Sequence, residues 1–351
     1  MAAADGGAMQ DAPRGDQISA SRGLAGWLES QQVSLAFTSY RTGRLYFVGL
    51  CKDGRIGFDQ RQFERAMGLH VSGDNLFLAT QWQVWRLVDV RSKADAPSDG
   101  FDAQYVVRTA RTTGDIDLHD IAIEHDGRAV FVNTRYSCLA TFCDQKGFTP
   151  SWQPPFVTAC TPEDRCHLNG LALRDGQVRY VTSAARSDSP SGWRDQRRNG
   201  GCIVDVAASD VIVDGLSMPH SPRWHDGRLY VLDSGRGTLC RVDEAAGTAE
   251  AVAWLPGFLR GMALIGRYAI VASSLARDGD FSGLDLDDML KARGAEPWCG
   301  LFIVDLQARA AVEWLRFKTD VRELFDVAVL PGRRRPMAIG PNSPELRQGA
   351  I

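Results

Sequence analysis

The chain has 351 residues, of which 44% are hydrophobic and 24% are charged, and its formal net charge at pH 7 is −3. This composition supports a sizeable buried core, and the small negative charge gives no reason to expect nucleic acid or an anionic membrane as a partner. No apolar run approaches the ~20 residues that a membrane-spanning helix needs.

The N-terminus lacks the basic and apolar segments of a secretory signal, so we expect a cytoplasmic protein. Residues 1–22 are small and polar and are expected to form a disordered lead-in. The domain is expected over residues 23–340, with a flexible tail over residues 341–351. A short amphipathic stretch over residues 23–31 predicts a helix before the first strand.

Most of the remaining chain consists of short β-branched and aromatic runs separated by Gly, Asp and Asn, which predicts strands. These runs fall into groups of four. In chain order the predicted groups span residues 67–110, 119–152, 169–214, 220–254 and 260–317, followed by a composite group from residues 326–339 and 34–63.

A repeated phrase marks the start of each group: Gly or Asp, an apolar residue and Ala, then a polar turn and a second strand. It occurs at Gly68, Asp120, Gly170, Gly261 and Asp326, with a variant Ser-Pro-Arg over residues 221–223. Repeats at this spacing in a strand-rich chain indicate propeller blades. We therefore predict an all-β fold, a single six-bladed β-propeller, whose composite closing blade takes strands from both termini and removes the open sheet edge.

Two loops between the second and third strands of a blade are unusually long, over residues 183–201 and 273–300. Each contains a tryptophan, Trp193 in the first and Trp298 in the second. In a propeller these loops share one mouth of the channel with the starts of the innermost strands. Long loops of this kind are often functional, although tolerated surface insertions are the alternative.

Aligning the blades on the repeated phrase predicts which side chains line that mouth. The position before the phrase and the position two residues earlier should face the same way, because strand side chains alternate with period two. The polar members of these two rows are Arg65, Asp117, His119, His167, Asn169, His220, Arg260 and Glu323.

Three of the six histidines of the chain belong to this set. His119, His167 and His220 come from three consecutive blades, and neutral imidazoles are good ligands for transition metals. We predict that they hold an Fe, Cu or Zn ion; no motif indicates a nucleotide cofactor. Their positions at two different levels along the strands are a geometric difficulty for a shared metal, and a hydrogen-bonded polar channel is the alternative.

The other residues of the set receive roles from their charge. Asp117, Glu323 and Asn169 are the candidate catalytic residues, either as proton-transfer groups or as partners that fix an imidazole tautomer. Arg65 and Arg260 would bind an anionic group of the substrate. We predict that Trp193 and Trp298 also contact the substrate.

Three phrases carry a resemblance to known proteins: Met-Pro-His-Ser-Pro-Arg-Trp from Met218, Asp-Arg-Cys-His-Leu-Asn-Gly from Asp164, and Leu-Pro-Gly-Phe from Leu255. They resemble a bacterial family of conserved hypothetical proteins that has no assigned activity, over residues from about Gly26 to about Gly340. Pro219-His220, followed by the sequence Asp-Gly-Arg-Leu-Tyr-Val, is distantly similar to six-bladed propellers of the NHL-repeat, gluconolactonase and strictosidine-synthase-like groups. The calcium-bearing members of those groups use Glu, Asn and Asp ligands, so histidines at these positions argue against calcium.

Three functions follow from this set of residues. The first is a metal-dependent enzyme that acts on a small-molecule or peptidic substrate with an anionic group. The second is a metal-free lyase, isomerase or hydrolase that uses a histidine–carboxylate pair in the same pocket. The third is a non-catalytic binding module, because many propellers present a rim to partners.

Overall fold

The computed structural model describes residues 18–91, 100–276, 279–318 and 320–347. No helix in these parts of the chain has the length and apolarity that crossing a bilayer requires. The N-terminal region contributes β1 (Ile18–Ala20), α1 (Leu24–Gln31), β2 (Val33–Ser39), β3 (Arg44–Leu50) and β4 (Ile56–Gln62).

Five blades then follow in sequence. Blade 1 contains β5 (Leu69–Ser72), β6 (Asn75–Ala79), β7 (Gln83–Asp89) and β8 (Ala103–Thr112). Blade 2 contains β9 (Leu118–Ile123), β10 (Ala129–Asn133), β11 (Cys138–Cys143) and β12 (Gly147–Trp152). Blade 3 contains β13 (Leu168–Arg174), β14 (Gln177–Ser183), β15 (Gly201–Asp205) and β16 (Asp210–Leu216). Blade 4 contains β17 (Pro219–His225), β18 (Arg228–Asp233), β19 (Thr238–Asp243) and β20 (Thr248–Trp254).

Blade 5 contains β21 (Phe258–Ile265), β22 (Tyr268–Ser274), β23 (Cys299–Asp305) and β24 (Ala310–Phe317), with α2 (Asp285–Arg293) between its second and third strands. The chain ends with β25 (Val327–Pro331), β26 (Pro336–Ile339) and α3 (Pro344–Arg347). Single 3-10 turns lie at Gly192–Gln196 and Ser234–Arg236.

The six sheets form the predicted six-bladed β-propeller. Blade 6 has the strand order β25-β2-β3-β4, so its innermost strand comes from the C-terminus and its other three strands come from the N-terminus. The pairing of β2 with β25 is antiparallel and runs from Val33 opposite Pro331 to Phe37 opposite Val327. This composite closing blade confirms the prediction that both termini complete the ring.

Three terminal details differ from the sequence-based expectation. Ile18–Ala20, expected in the disordered lead-in, pairs with β24 as an outer strand of blade 5; residues 1–17 lie outside the described residues. Pro336–Ile339, expected in blade 6, pairs in parallel with β8 on the outer edge of blade 1. Part of the expected flexible tail forms α3. The physical reason for the positions of β1 and β26 is that each strand covers a sheet edge that would otherwise be open.

The hydrophobic core consists of one buried cluster in each gap between neighbouring blades. Alternate residues of a strand supply the two gaps on either side of its blade. In β3, Tyr46 and Val48 pack towards blade 5, whereas Leu45 and Phe47 pack towards blade 1. Because strand side chains alternate with period two, each blade packs against both of its neighbours through apolar side chains.

The repeated phrase alternates around the ring, with Gly in blades 1, 3 and 5 and Asp or Ser in blades 2, 4 and 6. A Cβ added to Gly261 would lie 2.6 Å from the Cα of Asp326, so this glycine permits a close approach of two inner strands. The Asp and Ser side chains accept hydrogen bonds from the backbone of the next blade: Asp120 from Leu171 N, Ser221 from Gly261 N and Asp326 from Leu69 N. These bonds satisfy inner-strand edges that face the channel and have no partner strand there.

Candidate active site

A cavity of about 410 Å³ opens at the mouth of the channel where the inner strands begin. The two long loops cover one side of it and pack on each other through a buried apolar cluster that includes Trp193, Phe281 and Leu286. Seven of the ten predicted site residues line the cavity: Arg65, Asp117, His119, His167, Trp193, Arg260 and Glu323.

A repeated backbone conformation places several of these side chains. Arg65, Asp117, His167 and Met218 occupy the same position in four consecutive blades, and all have positive φ angles, of 48°, 52°, 52° and 48°. A left-handed conformation in a non-glycine residue costs about 1–2 kcal/mol, and strained residues of this kind occur at turns and cluster at active sites. The chain turns here before the inner strand starts, and the turn directs these side chains into the cavity.

His167 is held on two sides. Its Nδ1 lies 3.0 Å from Oδ2 of Asp164, and the indole N–H of Trp193 donates to the same carboxylate oxygen at 2.9 Å. The Trp193 ring stacks on the imidazole with 4.2 Å between the ring centroids. Asp164 therefore accepts the Nδ1 proton of His167, and Nε2 is the nitrogen available for chemistry in the cavity.

His119 and His220 are both held in the Nδ1–H tautomer by backbone carbonyls, which can only accept. Nδ1 of His119 donates to Asp117 O at 2.8 Å, and Nδ1 of His220 donates to Met218 O at 2.8 Å. Burial lowers the pKa of His119 to about 4, and burial together with the charge of Arg260 lowers the pKa of His220 well below its ordinary value. Both rings are therefore neutral at physiological pH.

The two predicted anion-binding arginines lie in the cavity wall. Nη2 of Arg65 is 3.2 Å from Oδ1 of Asp117, and Nη1 of Arg260 is 3.9 Å from Oε1 of Glu323. The Arg260 guanidinium also lies over the ring of Phe325, 5.0 Å from its centroid. Burial acts to raise the pKa of Asp117, but its interactions with the neighbouring histidines and arginines outweigh burial and lower this pKa.

Three predicted site residues do not line the cavity. His220 and Asn169 are buried at the same level of neighbouring inner strands, with 2% and 4% exposure. Trp298 packs against Phe302 and Trp314 inside blade 5, with 4.0 and 6.0 Å between ring centroids. It immediately precedes β23, where the chain has already left the loop and entered the blade, and this explains why it is not at the mouth.

Sequence reasoning assigned no role to several residues that shape the cavity. Asp164 contacts both His167 and Trp193. Its position three residues before His167 is the feature of the sequence that could have identified it. Tyr40 lies just after β2, and Arg194 and Arg197 belong to the first long loop. Residues on such loops follow no blade periodicity, so alignment of the repeats does not find them.

The predicted metal centre finds no support in this geometry. No group of three or more His, Cys, Asp or Glu side chains within the described ranges is arranged to hold a metal ion. His119 and His167 are neighbours, with ring centroids 5.0 Å apart, but His220 is enclosed below the cavity. A bound transition metal therefore stays a prediction.

The fold and the channel site define the chain as a six-bladed β-propeller with a polar pocket at one mouth. The family model described as "Domain of unknown function (DUF4915)" matches residues 22–339, and the chain belongs to that family. No curated protein sequence matches the chain.

Solved structures are similar to the chain at low sequence identity. A crystal structure of a nidogen/laminin complex is 11% identical, with a TM-score of 0.54, and the match covers 86% of this chain and 99% of that chain. Virginiamycin B lyase from Staphylococcus aureus is 9% identical, with a TM-score of 0.40, and the match covers 82% of this chain and 92% of that chain. The first of these similarities supports the fold alone.

Proposed function

We propose that the protein is an acid–base enzyme, of the lyase, isomerase or hydrolase type, that acts on a small molecule with an anionic group. The observation that carries this proposal is the pairing of His167 with Asp164 inside a loop-covered cavity. Among the three functions considered from the sequence, this pairing supports the metal-free enzyme that uses a histidine and a carboxylate.

In this proposal Nε2 of His167 accepts or donates the proton that moves during the reaction. Asp164 keeps the other ring nitrogen protonated and stabilises the imidazolium that forms when Nε2 takes up a proton. The stacked Trp193 fixes the plane of the ring and excludes water from one of its faces. General acid–base catalysis of this kind contributes about 10²–10⁴-fold to a rate.

The arginines would bind and orient the substrate. Arg260 is buried and Arg65 is half-buried, so charge-assisted hydrogen bonds from them to a carboxylate would be stronger than in open water. Asp117 and Glu323 lie next to these guanidinium groups and hold them in place. An anionic group seated there would lie in the same cavity as His167.

The experiment begins with a panel of small hydroxy acids, lactones and carboxylate esters, screened for turnover by proton NMR with protein that carries no affinity tag. Once a compound is converted, His167→Asn is the decisive variant. Asparagine tolerates a left-handed backbone and keeps a donor near Asp164, but it lacks Nε2. We expect turnover to fall at least 100-fold in His167→Asn and in Asp164→Asn.

The exposed His125 provides the control, because it does not line the cavity. His125→Asn should turn over the compound as the unmodified protein does. Undiminished turnover in His167→Asn would contradict the proposal. Metal analysis separates the two enzyme hypotheses: one metal ion per chain, lost together with activity in His220→Ala, would favour the metal-dependent enzyme instead.

A further inference from the structure

The mouth of the channel is covered unequally. The segments between the second and third strands of a blade are long in blades 3 and 5 but short in blades 6, 1 and 2, where they comprise residues 40–43, 80–82 and 134–137. The two long loops contact each other over the intervening blade 4. A substrate too large for the cavity would therefore emerge on the side of blades 6, 1 and 2.

A groove of about 660 Å³ lies on that side, between blades 6 and 1. We call it the rim groove, and its walls include Tyr40, Arg41, Phe63, Arg65, Trp82 and Trp85. Tyr40 and Arg65 also line the active-site cavity, so the two spaces share a wall. In that wall the Arg65 guanidinium lies over the Tyr40 ring, 5.5 Å from its centroid.

Trp82 is the unusual residue of the rim groove. Its side chain is 45% exposed, and within the described parts of the chain the other large hydrophobic residues with high exposure are Val90 and Val312. Trp82 is thus the one aromatic residue of this exposed group, and it stands beside the proposed active site. Exposed aromatic rings next to a pocket commonly bind flat apolar groups.

We propose that the rim groove binds a flat apolar or aromatic part of the substrate, while its carboxylate is held by Arg65 and Arg260 in the cavity. This inference rests on the proposed function and narrows its substrate class to aryl-substituted carboxylates. The groove adjoins the cavity through the shared side chains of Tyr40 and Arg65, and it has the volume of a small-molecule site. The few exposed apolar residues around it are too sparse for a stable protein interface, which buries about 800 Å² per partner.

The test measures binding by calorimetry for two matched series of acids. One series is acetate, butyrate and hexanoate, and the other is the same acids with a terminal phenyl group. For at least one chain length, we expect the phenyl acid to bind about tenfold more tightly than its unsubstituted counterpart. Trp82→Ala should abolish this gain, Trp82→Phe should retain most of it, and the matched control Val312→Ala should leave it unchanged.

Two results would overturn the inference: phenyl acids that bind no more tightly than the plain acids, or a gain that persists in Trp82→Ala. In either case carboxylate binding in the cavity, and with it the proposed function, would be unaffected. If neither series binds at all, the anion-binding role of Arg65 and Arg260 fails, and the substrate class proposed here fails with it. The role of His167 is tested separately, by turnover in His167→Asn. A failure of that role can therefore be distinguished from a failure of aryl binding and from a failure of carboxylate binding.

Discussion

Arg223 of blade 4 forms an ion pair with the buried Asp120 of blade 2, and Nη1 of the arginine lies 2.9 Å from Oδ2 of the aspartate. Nη2 of the same guanidinium lies 3.6 Å from Oδ1 of Asp326 in blade 6. Arg223 also donates from Nε to Met262 O in blade 5 and from Nη1 to Leu171 O in blade 3. The Arg223 side chain therefore connects blades 2, 3, 4, 5 and 6 at the channel axis. Blade 1 is reached only indirectly, through the hydrogen bond that Asp326 accepts from Leu69 N.

This ion cluster lies directly below the active-site cavity. Asp120 and Asp326 each follow a residue that lines the cavity, His119 and Phe325 respectively. On the other side of the cluster, a second cavity of about 760 Å³ opens at the opposite mouth and includes Asp120 and Arg223 in its lining. The cluster therefore lies between the two cavities along the channel.

Loss of the Arg223 cation should destabilise the protein strongly. Arg223→Met leaves two buried carboxylates without their counter-charge, and breaking a buried pair in this way costs about 3–5 kcal/mol. The measurement is the free energy of unfolding from chemical denaturation. Arg241→Met, which removes an exposed pair with Glu250, is the control and should leave the stability nearly unchanged. A loss of equal size in both variants would contradict the central role of Arg223.

The stability of the protein should depend on pH through Asp326. Burial raises the pKa of Asp326 to about 7, against an ordinary value of 3.8. The folded state therefore binds a proton more tightly than the unfolded state, so this group contributes stability that is present at pH 4 and is lost as the pH rises towards 7.

The comparison with Asp326→Asn isolates this contribution. His119 and His220 have lowered pKa values and act in the opposite direction in the same pH range, but they are common to both proteins. The free energy of unfolding of the unmodified protein minus that of Asp326→Asn should fall between pH 4 and pH 7. A difference that does not change with pH would show that Asp326 is ionised throughout.

The glycines of the repeated phrase should be intolerant of substitution. Gly261 has a φ angle of +80°, and a Cβ at this position would lie 2.6 Å from the Cα of Asp326. Gly266 also has a positive φ angle, of +50°, but an added Cβ would meet no atom within 4 Å. Gly266→Ala thus costs only the left-handed strain of about 1–2 kcal/mol. Gly261→Ala should cost about 1–3 kcal/mol more in denaturant unfolding, because the inner strands of blades 5 and 6 must move apart; equal losses would contradict the close approach.

The tautomers of the histidines are directly observable. Nitrogen-15 NMR of the side chains should show Nδ1–H for His119 and His220, whereas His225, whose Nε2 donates to Gly266 O at 2.7 Å, should show Nε2–H. The His119 signal should remain that of a neutral ring down to about pH 4, because burial lowers its pKa to that value. Nε2–H signals from His119 and His220 would contradict the hydrogen bonds to the carbonyls and reopen the question of their roles.

The sequence predicted many of the side chains that line the cavity, but it did not predict the residues whose positions depend on local conformation. Repeats bring equivalent positions of every blade to one axis, so alignment alone placed His119 and Arg260 in the cavity wall, although the equivalent Asn169 and His220 are buried beside it. Period two does not explain the direction of the Arg65 and His167 side chains, because these two residues lie ahead of the inner strand and themselves have a left-handed backbone conformation. The positions of the Asp164 and Trp298 side chains depend on the conformation of loops, and the pattern of strand repeats carries no information on loop conformation.

The sequence by itself determined the architecture. Its apolar residues alternate along the strands, turn residues separate the strands, and a repeated phrase marks each group of strands. A closed ring of six blades buries the apolar faces of all these sheets. Only the tertiary structure decided which nitrogen of each histidine is free, that His220 is enclosed, and that Arg223 closes the axis. These features depend on differences of a few tenths of an ångström in the distances between side chains from different elements. Local pattern sets which way a strand faces, but it does not set where two side chains on separate strands come to rest.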